Sequence, residues 1–452
     1  MSREAANPPV NPAESARLSF LLAGAIVVSL AGLLGGMQYV IIALALGLAI
    51  LVACKPEEAV PAGLLFMLAA MTLLPARARF HYIDGRTAGI DWQQYYWAIG
   101  SLVIVLAAFY RVGLSSLLRA PASLKAFLLV AIAAAIFGFY RGNQTSYVIR
   151  QLYGSILFVL YFAISRAVGN EELLFRRLKT FGVLVALVFI FYYASVFNEW
   201  GFHKEDTSLP VQMGIFSTLL FVKGLVEKRL SWIVSSGILF IASFLLFMRH
   251  VLLTFFFAAA LALAMQSTSR IRRAFCFGVA ALILLPSVFP LGAQFAADVL
   301  EEKAPGIYDL LPEGTHDAKT LMDRTIQMAA SGALVLQSPV LGGGMGAELT
   351  WSSDLGDREE KFVDNGWAYL MVKMGGAGIL TFGWLFVSIL RCMSRQSLIL
   401  SISLLAILMI VMFSEPVCFQ FALSPIPAAL AGIVYARKHP LESFRALSPS
   451  VA

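Results

Sequence analysis

The sequence has few charged residues and few cysteines. Asp, Glu, Lys and Arg together make up 13% of its 452 residues, about half of what is usual in a globular protein. The four cysteines lie in or beside apolar runs, so neither a disulfide framework nor a zinc site is expected. Phosphate-binding loops, dinucleotide fingerprints and the motifs of zinc proteases or serine hydrolases do not occur in a suitable context. An ATPase, a dehydrogenase or a metalloprotease therefore has no support in the sequence.

Apolar residues are correspondingly abundant, at 59% of the chain. Apolar runs of about 16 to 20 residues recur almost from end to end, and each is long enough to cross a hydrocarbon core as a helix. We therefore predict an all-α fold in which residues 1–452 form one integral membrane domain of about 12 to 14 transmembrane helices. The predicted spans are 18–35, 37–54, 59–75, 94–110, 125–140, 148–165, 180–198, 210–226, 232–248, 251–267, 274–290, 364–390, 397–413 and 418–436.

The basic residues lie mainly in short loops between the apolar runs. Lys and Arg outnumber Asp and Glu by 34 to 27, and their placement fits the positive-inside rule better than a nucleic-acid partner. With both termini in the cytoplasm, loops such as VEKRL, STSRIRR and RCMSR lie inside. The long segment 291–363 then forms an extracytoplasmic loop. Apolar spacing within 317–336 predicts a helix there, and we expect amphipathic helices of this loop to cap the membrane domain.

Several polar residues are expected at the outer ends of these helices. A charged side chain in or near the membrane is energetically costly, so each of them is a candidate for a functional role. Arginine presents a planar fork that matches phosphate and carboxylate oxygens, so several arginines on one rim would suit a lipid-linked pyrophosphate. An acid nearby could accept a proton from an attacking hydroxyl. This outer set consists of Arg141, Arg150, Arg249, His250, Arg324 and Asp364.

Each member of the outer set also has a plainer structural interpretation. The basic members could be interfacial anchors or solvated surface charges. Asp and Asn are preferred helix N-caps, so Asp364 and Asn365 could simply start the helix within FVDNGWAYLMVKMGGAGIL (362–380). Lys373 lies about 14 Å farther along that helix, where it either snorkels outward or indicates that the first turns are exposed or line a cavity.

Two consecutive stretches carry a resemblance to a known family. DRTIQMAASGALVLQSPVLGGGMGAE (323–348) and VDNGWAYLMVKMGGAGIL (363–380) resemble the O-antigen ligase and polymerase superfamily, multi-span bacterial glycosyltransferases that use polyprenyl-pyrophosphate-linked glycans. The shared pattern is an Arg, an amphipathic helix, a Pro, a Gly-rich turn and a pair of polar residues, here Asp364 and Asn365, at the start of the next helix. FMRHVLLTF (247–255) is similar to an upstream Arg-bearing helix end of the family. The match covers residues 230–390, and the multi-span layout with one large late outer loop extends it along the chain.

The resemblance implies roles for particular residues. Arg249 and Arg324 would hold the pyrophosphate of the donor, and Asp364 would accept or orient the proton of the acceptor hydroxyl. The family's ligases generally have a histidine at the position of Asp364, and an acid there favours the polymerase branch. Neither a cofactor nor a metal is implied. The remaining substrate-binding candidates are Arg141, Arg150, His250, Gly343, Gly344 and Asn365.

The function implied by the resemblance is polymerisation of polyprenyl-linked oligosaccharide repeats, with inversion at the anomeric carbon. The enzyme would be GT-C-like and would lie in the bacterial inner membrane with its active site facing the periplasm. Its partners would be a lipid-linked glycan donor, a glycan or lipid acceptor, membrane lipids and possible chain-length regulator or flippase proteins, without nucleic acid. A ligase would differ only in its acceptor. A transporter or flippase would instead place charges or helix breaks at mid-membrane depth, whereas most arginines here are predicted at span ends.

Overall fold

The structure is a computed structural model that describes residues 37–73, 92–200, 208–245, 249–288, 314–353, 356–360, 365–393, 397–412, 416–420 and 423–439. This part of the chain is mostly helical, so the prediction of a helical membrane protein is confirmed at that level. Within the described ranges, the helices long and apolar enough to cross a membrane are Ala122–Tyr140, Thr145–Val168, Leu209–Glu227 and Gly366–Leu390. The predicted span 18–35 lies outside the described residues.

Most helices follow the predicted spans closely. The predicted start of the last span, 418–436, is wrong, because residues 417–420 form turns and the helix begins only at Pro425, a residue suited to the first helical position. The helices are α1 (Met37–Cys54), α2 (Ala59–Leu73), α3 (Trp92–Val112), α4 (Ser115–Leu118), α5 (Ala122–Tyr140), α6 (Thr145–Val168), α7 (Glu171–Arg177), α8 (Val183–Trp200), α9 (Ser208–Glu227), α10 (Leu230–Phe244), α11 (Arg249–Gln266), α12 (Arg270–Val288), α13 (Gly314–Gln337), α14 (Gly366–Leu390), α15 (Leu398–Ala406) and α16 (Pro425–Lys438). A 3₁₀ turn (Pro56–Glu58) precedes α2, and π-helical turns (Leu178–Gly182 and Ile407–Val411) follow α7 and α15.

Two short strands interrupt the helical pattern between α13 and α14. Strands β1 (Leu349–Ser353) and β2 (Gly356–Glu360) pair antiparallel, with Trp351 opposite Arg358. Because β1 packs against α13, the pair and α13 together lie just before α14. The helix predicted within 317–336 corresponds to α13, whereas residues 289–313 lie outside the described part of the loop.

The helices pack through small residues as well as large apolar ones. Helix α6 packs against α5 and α16, while α14 packs against α5 and α13. On α16, a Cβ added to Gly432 would lie 2.5 Å from the carbonyl oxygen of Phe162, so this approach needs glycine. The Ser424 hydroxyl donates a 2.9 Å hydrogen bond to the carbonyl oxygen of Gly154. Close approach through small residues and interhelical hydrogen bonds is how helices associate where lipid replaces water.

Basic side chains collect at one end of the helices, which we name the basic end. The contacts there join the ends of α1, α2, α3, α7, α9, α14 and α16: Arg111 with the Ala53 carbonyl, Arg177 with Glu58, Lys223 with Glu172, Arg437 with Glu171, and Lys438 with the Arg391 carbonyl. These residues belong to or flank the loops predicted to be cytoplasmic from their charge.

Candidate functional site

A glycine-rich turn lies at the opposite end of the same helices. This glycine turn, residues 341–347, follows α13 and packs against α5, α6 and α14. Gly342, Gly344 and Gly346 have φ values of +60°, +79° and +78°, which glycine adopts without steric cost. A Cβ on Gly344 would lie 2.8 Å from the backbone nitrogen of Gly138 in α5. The glycines therefore allow both the shape of the turn and its close contact with the membrane helices.

Helix α14 is broken where it meets this turn. Gly375 has φ +60° and ψ −155°, which are non-helical values. The N–H of Gly376 donates to the Pro339 carbonyl at 2.8 Å, and the Val372 carbonyl accepts from the N–H of Gly343 at 2.8 Å. The backbone groups released by the break are thus paired with the chain around the turn. At membrane depth such irregular backbone is tolerated only where protein satisfies its hydrogen bonds.

Two amide side chains complete the hydrogen bonds of the turn. Asn143, between α5 and α6, donates through Nδ2 to the carbonyls of Gly343 at 3.1 Å and Met345 at 2.8 Å. Gln151 on α6 accepts a 2.6 Å hydrogen bond from the N–H of Gly346 through Oε1. The turn is therefore held as part of the membrane domain by side chains from the α5–α6 connection and from the first turns of α6.

A stripe of polar side chains runs from the start of α14 towards the break. This polar stripe consists of Asn365, Tyr369 and Lys373, which share one helix face because they are four residues apart and span about 12 Å of helix axis. Their exposed fractions are 7%, 3% and 0%. Asn365 is the N-cap, since its Oδ1 accepts from the N–H groups of Trp367 at 2.8 Å and Ala368 at 3.1 Å. Of the two cap residues that the sequence offered, Asp364 and Asn365, the structure shows Asn365 in this role.

Lys373 links the polar stripe to the glycine turn. Its Nζ donates to the carbonyl oxygen of Ala347, and the Glu348 carboxylate lies within electrostatic range of the ammonium. Sequence reasoning offered snorkelling or an exposed cavity wall for this lysine, but the side chain is fully buried. Sequence reasoning did not place Lys373 at the site. The four-residue spacing of polar side chains in an apolar helix is the signal that could have found it.

Tyr369 is the member of the polar stripe that interacts electrostatically with Arg150 of α6. Its ring stacks on that of Phe419, with centroids 5.0 Å apart and planes 2° from parallel. Its hydroxyl lies within electrostatic range of the half-buried Arg150 guanidinium. Among the described residues, this buried hydroxyl has no hydrogen-bond partner. The Arg150 charge therefore acts on the polar stripe, and Tyr369 is a second residue that sequence reasoning did not place there.

The other predicted site residues either lie away from the turn and stripe or have side chains outside the described part of the structure. Arg141 follows α5, is exposed, and has its guanidinium carbon 5.2 Å from the centroid of the Phe137 ring. Arg249 and His250 open α11 and Arg324 lies in α13, but their side chains are outside the described part of the structure. Asp364 lies wholly outside it. The structure thus gathers four of the predicted residues around the turn and stripe: Arg150, Gly343, Gly344 and Asn365.

The donor set around the turn and stripe favours an anionic ligand. Arginine is a donor only, and a tyrosine hydroxyl can donate as well, so Arg150 and Tyr369 suit an acceptor-rich group, whereas Lys373 already donates to Ala347. Among the residues the structure describes, no group of three or more His, Cys, Asp or Glu side chains is arranged to hold a metal ion.

No protein-family model, curated protein or solved structure matches this chain. Function is therefore inferred from the glycine turn and the polar stripe, together with the sequence resemblance.

Proposed function

We propose that this protein is a glycosyltransferase that polymerises polyprenyl-pyrophosphate-linked oligosaccharide repeats at the extracytoplasmic face of the bacterial inner membrane. The observation that carries the proposal is the glycine turn, which follows α13 and is bonded into α5, α6 and α14 beside Arg150 and the polar stripe. We propose a GT-C-like membrane domain of about 12 to 14 spans, capped by the loop 291–363. No nucleotide is required, because the pyrophosphate linkage supplies the driving force.

The two ends of the helices support the orientation. Helix α6 runs from Gln151, bonded to the glycine turn, to Arg166 near the basic end, about 22 Å along its axis. Basic loops favour the cytoplasmic side. With the basic end inside, the glycine turn and polar stripe face the periplasm, where lipid-linked repeats would be joined.

The proposed reaction is a direct displacement at the anomeric carbon of the donor glycan. A hydroxyl of the acceptor sugar attacks this carbon, a new glycosidic C–O bond forms, and the bond to the pyrophosphate oxygen breaks. The leaving pyrophosphate takes the electron pair, and Arg249, Arg324 and Arg150 stabilise its growing charge in a site of low dielectric constant. Asp364 takes the proton of the acceptor hydroxyl. The configuration at the anomeric carbon is inverted.

A ligase and a transporter are the competing functions. A ligase would use the same end of the protein with a different acceptor, such as lipid A-core. A transporter is favoured by one specific observation, the break of α14 at Gly375 beside the buried Lys373, because broken helices and buried charges mark transport sites. In this structure, however, the glycine turn occupies the break and pairs the released backbone groups, which favours a fixed site.

Deletion of the gene and analysis of lipid-linked sugars and surface glycan would separate these functions. A polymerase predicts that single repeats build up on the carrier while long chains are lost. Long carrier-linked chains that never reach their acceptor would indicate a ligase. Repeats trapped on the cytoplasmic face would overturn both in favour of a transporter.

Complementation of the deletion strain then tests the residues. Arg249→Ala, Arg324→Ala and Asp364→Ala should each abolish product while the protein remains in the membrane. Arg176→Ala, an exposed arginine on α7 at the basic end, should restore normal glycan and serves as the matched control. If Asp364→Ala restored full activity, Asp364 would not be the proton acceptor.

A further inference from the structure

We propose that Tyr369 is a ligand-binding residue whose hydroxyl, with the Arg150 guanidinium, binds a phosphate-type oxyanion inside the membrane domain. The inference deepens the proposed function and rests on it for the source of the anion. It adds a group from α14 that the sequence pattern did not assign. The juxtaposition that carries it is a buried hydroxyl without a hydrogen-bond partner among the described residues, within electrostatic range of the Arg150 guanidinium on α6.

The hydroxyl of Tyr369 has no evident structural use. The residue is 3% exposed, and within the described ranges its oxygen lacks a hydrogen-bond partner. A buried polar group left unpaired destabilises a fold, and phenylalanine would keep the same ring packing. Tyr161 on α6 provides the contrast, since its buried hydroxyl is 2.6 Å from the Ser101 hydroxyl. The hydroxyl of Tyr369 is therefore explained better by a ligand than by the packing.

The ring of Tyr369 is held so that its hydroxyl has a fixed position. It lies parallel to Phe419 at a centroid distance of 5.0 Å, and the helix places it between Asn365 and Lys373 on the buried face. Both of those neighbours already bond backbone groups, Asn365 at the helix N-terminus and Lys373 at Ala347. A donor fixed in advance loses little conformational entropy when it binds a ligand.

The surrounding charges select the chemical class of the ligand. The Arg150 guanidinium is positive at every relevant pH and can only donate hydrogen bonds. Lys373 already donates to Ala347, and the Glu348 carboxylate lies within electrostatic range of its ammonium. Arg150 on α6 and Tyr369 on α14 are therefore the groups proposed to bind the ligand. Oxygens of a phosphate or diphosphate accept such bonds in charge-assisted form. The ligand could be a soluble diphosphate or the head group of a prenyl diphosphate lipid.

Thermal unfolding of the purified full-length protein in detergent tests this role through the hydroxyl alone. The probes are inorganic pyrophosphate and farnesyl diphosphate. We expect at least one of them to raise the unfolding midpoint of the wild type. Tyr369→Phe should unfold at the same temperature or higher without ligand, but bind the active probe about tenfold to a hundredfold more weakly, because one charge-assisted hydrogen bond is lost.

Tyr161→Phe is the matched control, because it removes a hydroxyl that the fold uses. It should lower the midpoint without ligand, since Ser101 loses its partner, and keep the wild-type response to the probe. A response to farnesyl diphosphate alone would support a lipid-linked source, and an equal response to inorganic pyrophosphate would support recognition of the free anion.

The proposal is overturned if neither probe stabilises the wild type, if Tyr369→Phe binds the active probe as tightly as the wild type, or if Tyr369→Phe lowers the ligand-free midpoint. These results are independent of the deletion experiment. Tyr369-dependent binding with an unchanged glycan profile would uphold the site and reject the proposed function. Loss of long glycan in the deletion strain with unaltered binding by Tyr369→Phe would do the reverse.

Discussion

At the residue scale, Gly344 determines how closely the glycine turn approaches α5. Its φ of +79° is costly for other residues, and an added Cβ would lie 2.8 Å from Gly138 N and 2.9 Å from Gly138 Cα. We expect Gly344→Ala to destabilise the protein by about 2 kcal/mol or more, because both effects act on backbone that cannot move aside. Thermal unfolding in detergent measures the loss.

The matched control is Gly332→Ala on α13, where an added Cβ meets nothing within 4 Å. Alanine favours a helix over glycine by up to about 1 kcal/mol, so this variant should be as stable as the wild type or more so. Equal midpoints for Gly344→Ala and Gly332→Ala would contradict the close packing of the turn.

Glu171 at the basic end gives a prediction about pH. Burial raises the pKa of its carboxyl, although Arg437 and Lys223 act in the opposite direction. A carboxyl with a raised folded-state pKa stabilises the fold fully below its unfolded pKa of about 4.3, and this contribution is lost as pH rises through the folded pKa. Glu171→Gln stays neutral. Its stability relative to the wild type should therefore improve from pH 4 to pH 7, as measured by unfolding midpoints; a decline would show that the ion pair with Arg437 dominates.

Local residue preferences predicted some of the site but not its contacts. Asn365 caps α14 as cap preferences predict, because an N-cap needs only the next few residues. The four-residue spacing of polar side chains could have indicated Lys373, but not its partner Ala347, which belongs to a turn before the helix. The approach of Tyr369 to the charge of Arg150 depends likewise on the packing of helices that are distant in sequence.

At the scale of elements, α7 connects the helices of the basic end. Arg177 binds Glu58 with two hydrogen bonds, one of them 3.1 Å from Nε to Oε2, and Glu58 is 7% exposed. Glu58→Ala leaves the half-exposed guanidinium without this carboxylate. We expect a loss of about 1 to 3 kcal/mol in the free energy of unfolding, measured by chemical denaturation.

Two further variants show whether the loss comes from the ion pair. Arg176→Ala changes the exposed neighbouring arginine and should alter the free energy of unfolding by no more than about 0.5 kcal/mol. Exchanging the charges, with Glu58→Arg and Arg177→Glu together, should recover part of the loss. A double variant as unstable as the two single changes combined would indicate that packing, not charge, holds α7.

The helices were predictable because each apolar run is bounded by polar residues, and α5, α6 and α14 end within a few residues of their predicted spans. The break in α14 was not predictable in this way. Glycine is common in membrane helices, so the sequence around Gly375 and Gly376 predicts one uninterrupted helix. The break depends on the carbonyl of Pro339, which replaces a helical partner of Gly376. The strand pair before α14 was not predicted either.

At the scale of the whole molecule, the basic end and the glycine turn lie on opposite ends of α6. Charge placement in the loops predicted this arrangement, because the positive-inside rule acts on the chain as a whole. Labelling of cysteines with a membrane-impermeant maleimide tests its orientation in the cell. One variant keeps only Cys54, which is exposed beside the basic end. A second lacks all four native cysteines and carries Thr145→Cys at the exposed start of α6.

We expect Thr145→Cys to react in cells whose outer membrane has been made permeable, and Cys54 to react only in inverted vesicles. A chain with all four cysteines replaced provides the background control. Reaction of both cysteines from the same side would contradict a membrane domain that separates the two ends.

The side chains that hold the glycine turn also set an order of events during synthesis. Asn143 and Gln151 bond residues 195 to 202 positions later in the chain. At about 5 to 20 residues per second, a ribosome needs about 10 to 40 seconds to make that stretch. During this interval α5 and α6 are made without the three hydrogen bonds that hold the turn. A nascent chain that stops after α12 therefore lacks the contacts that fix the start of α6 against the glycine turn.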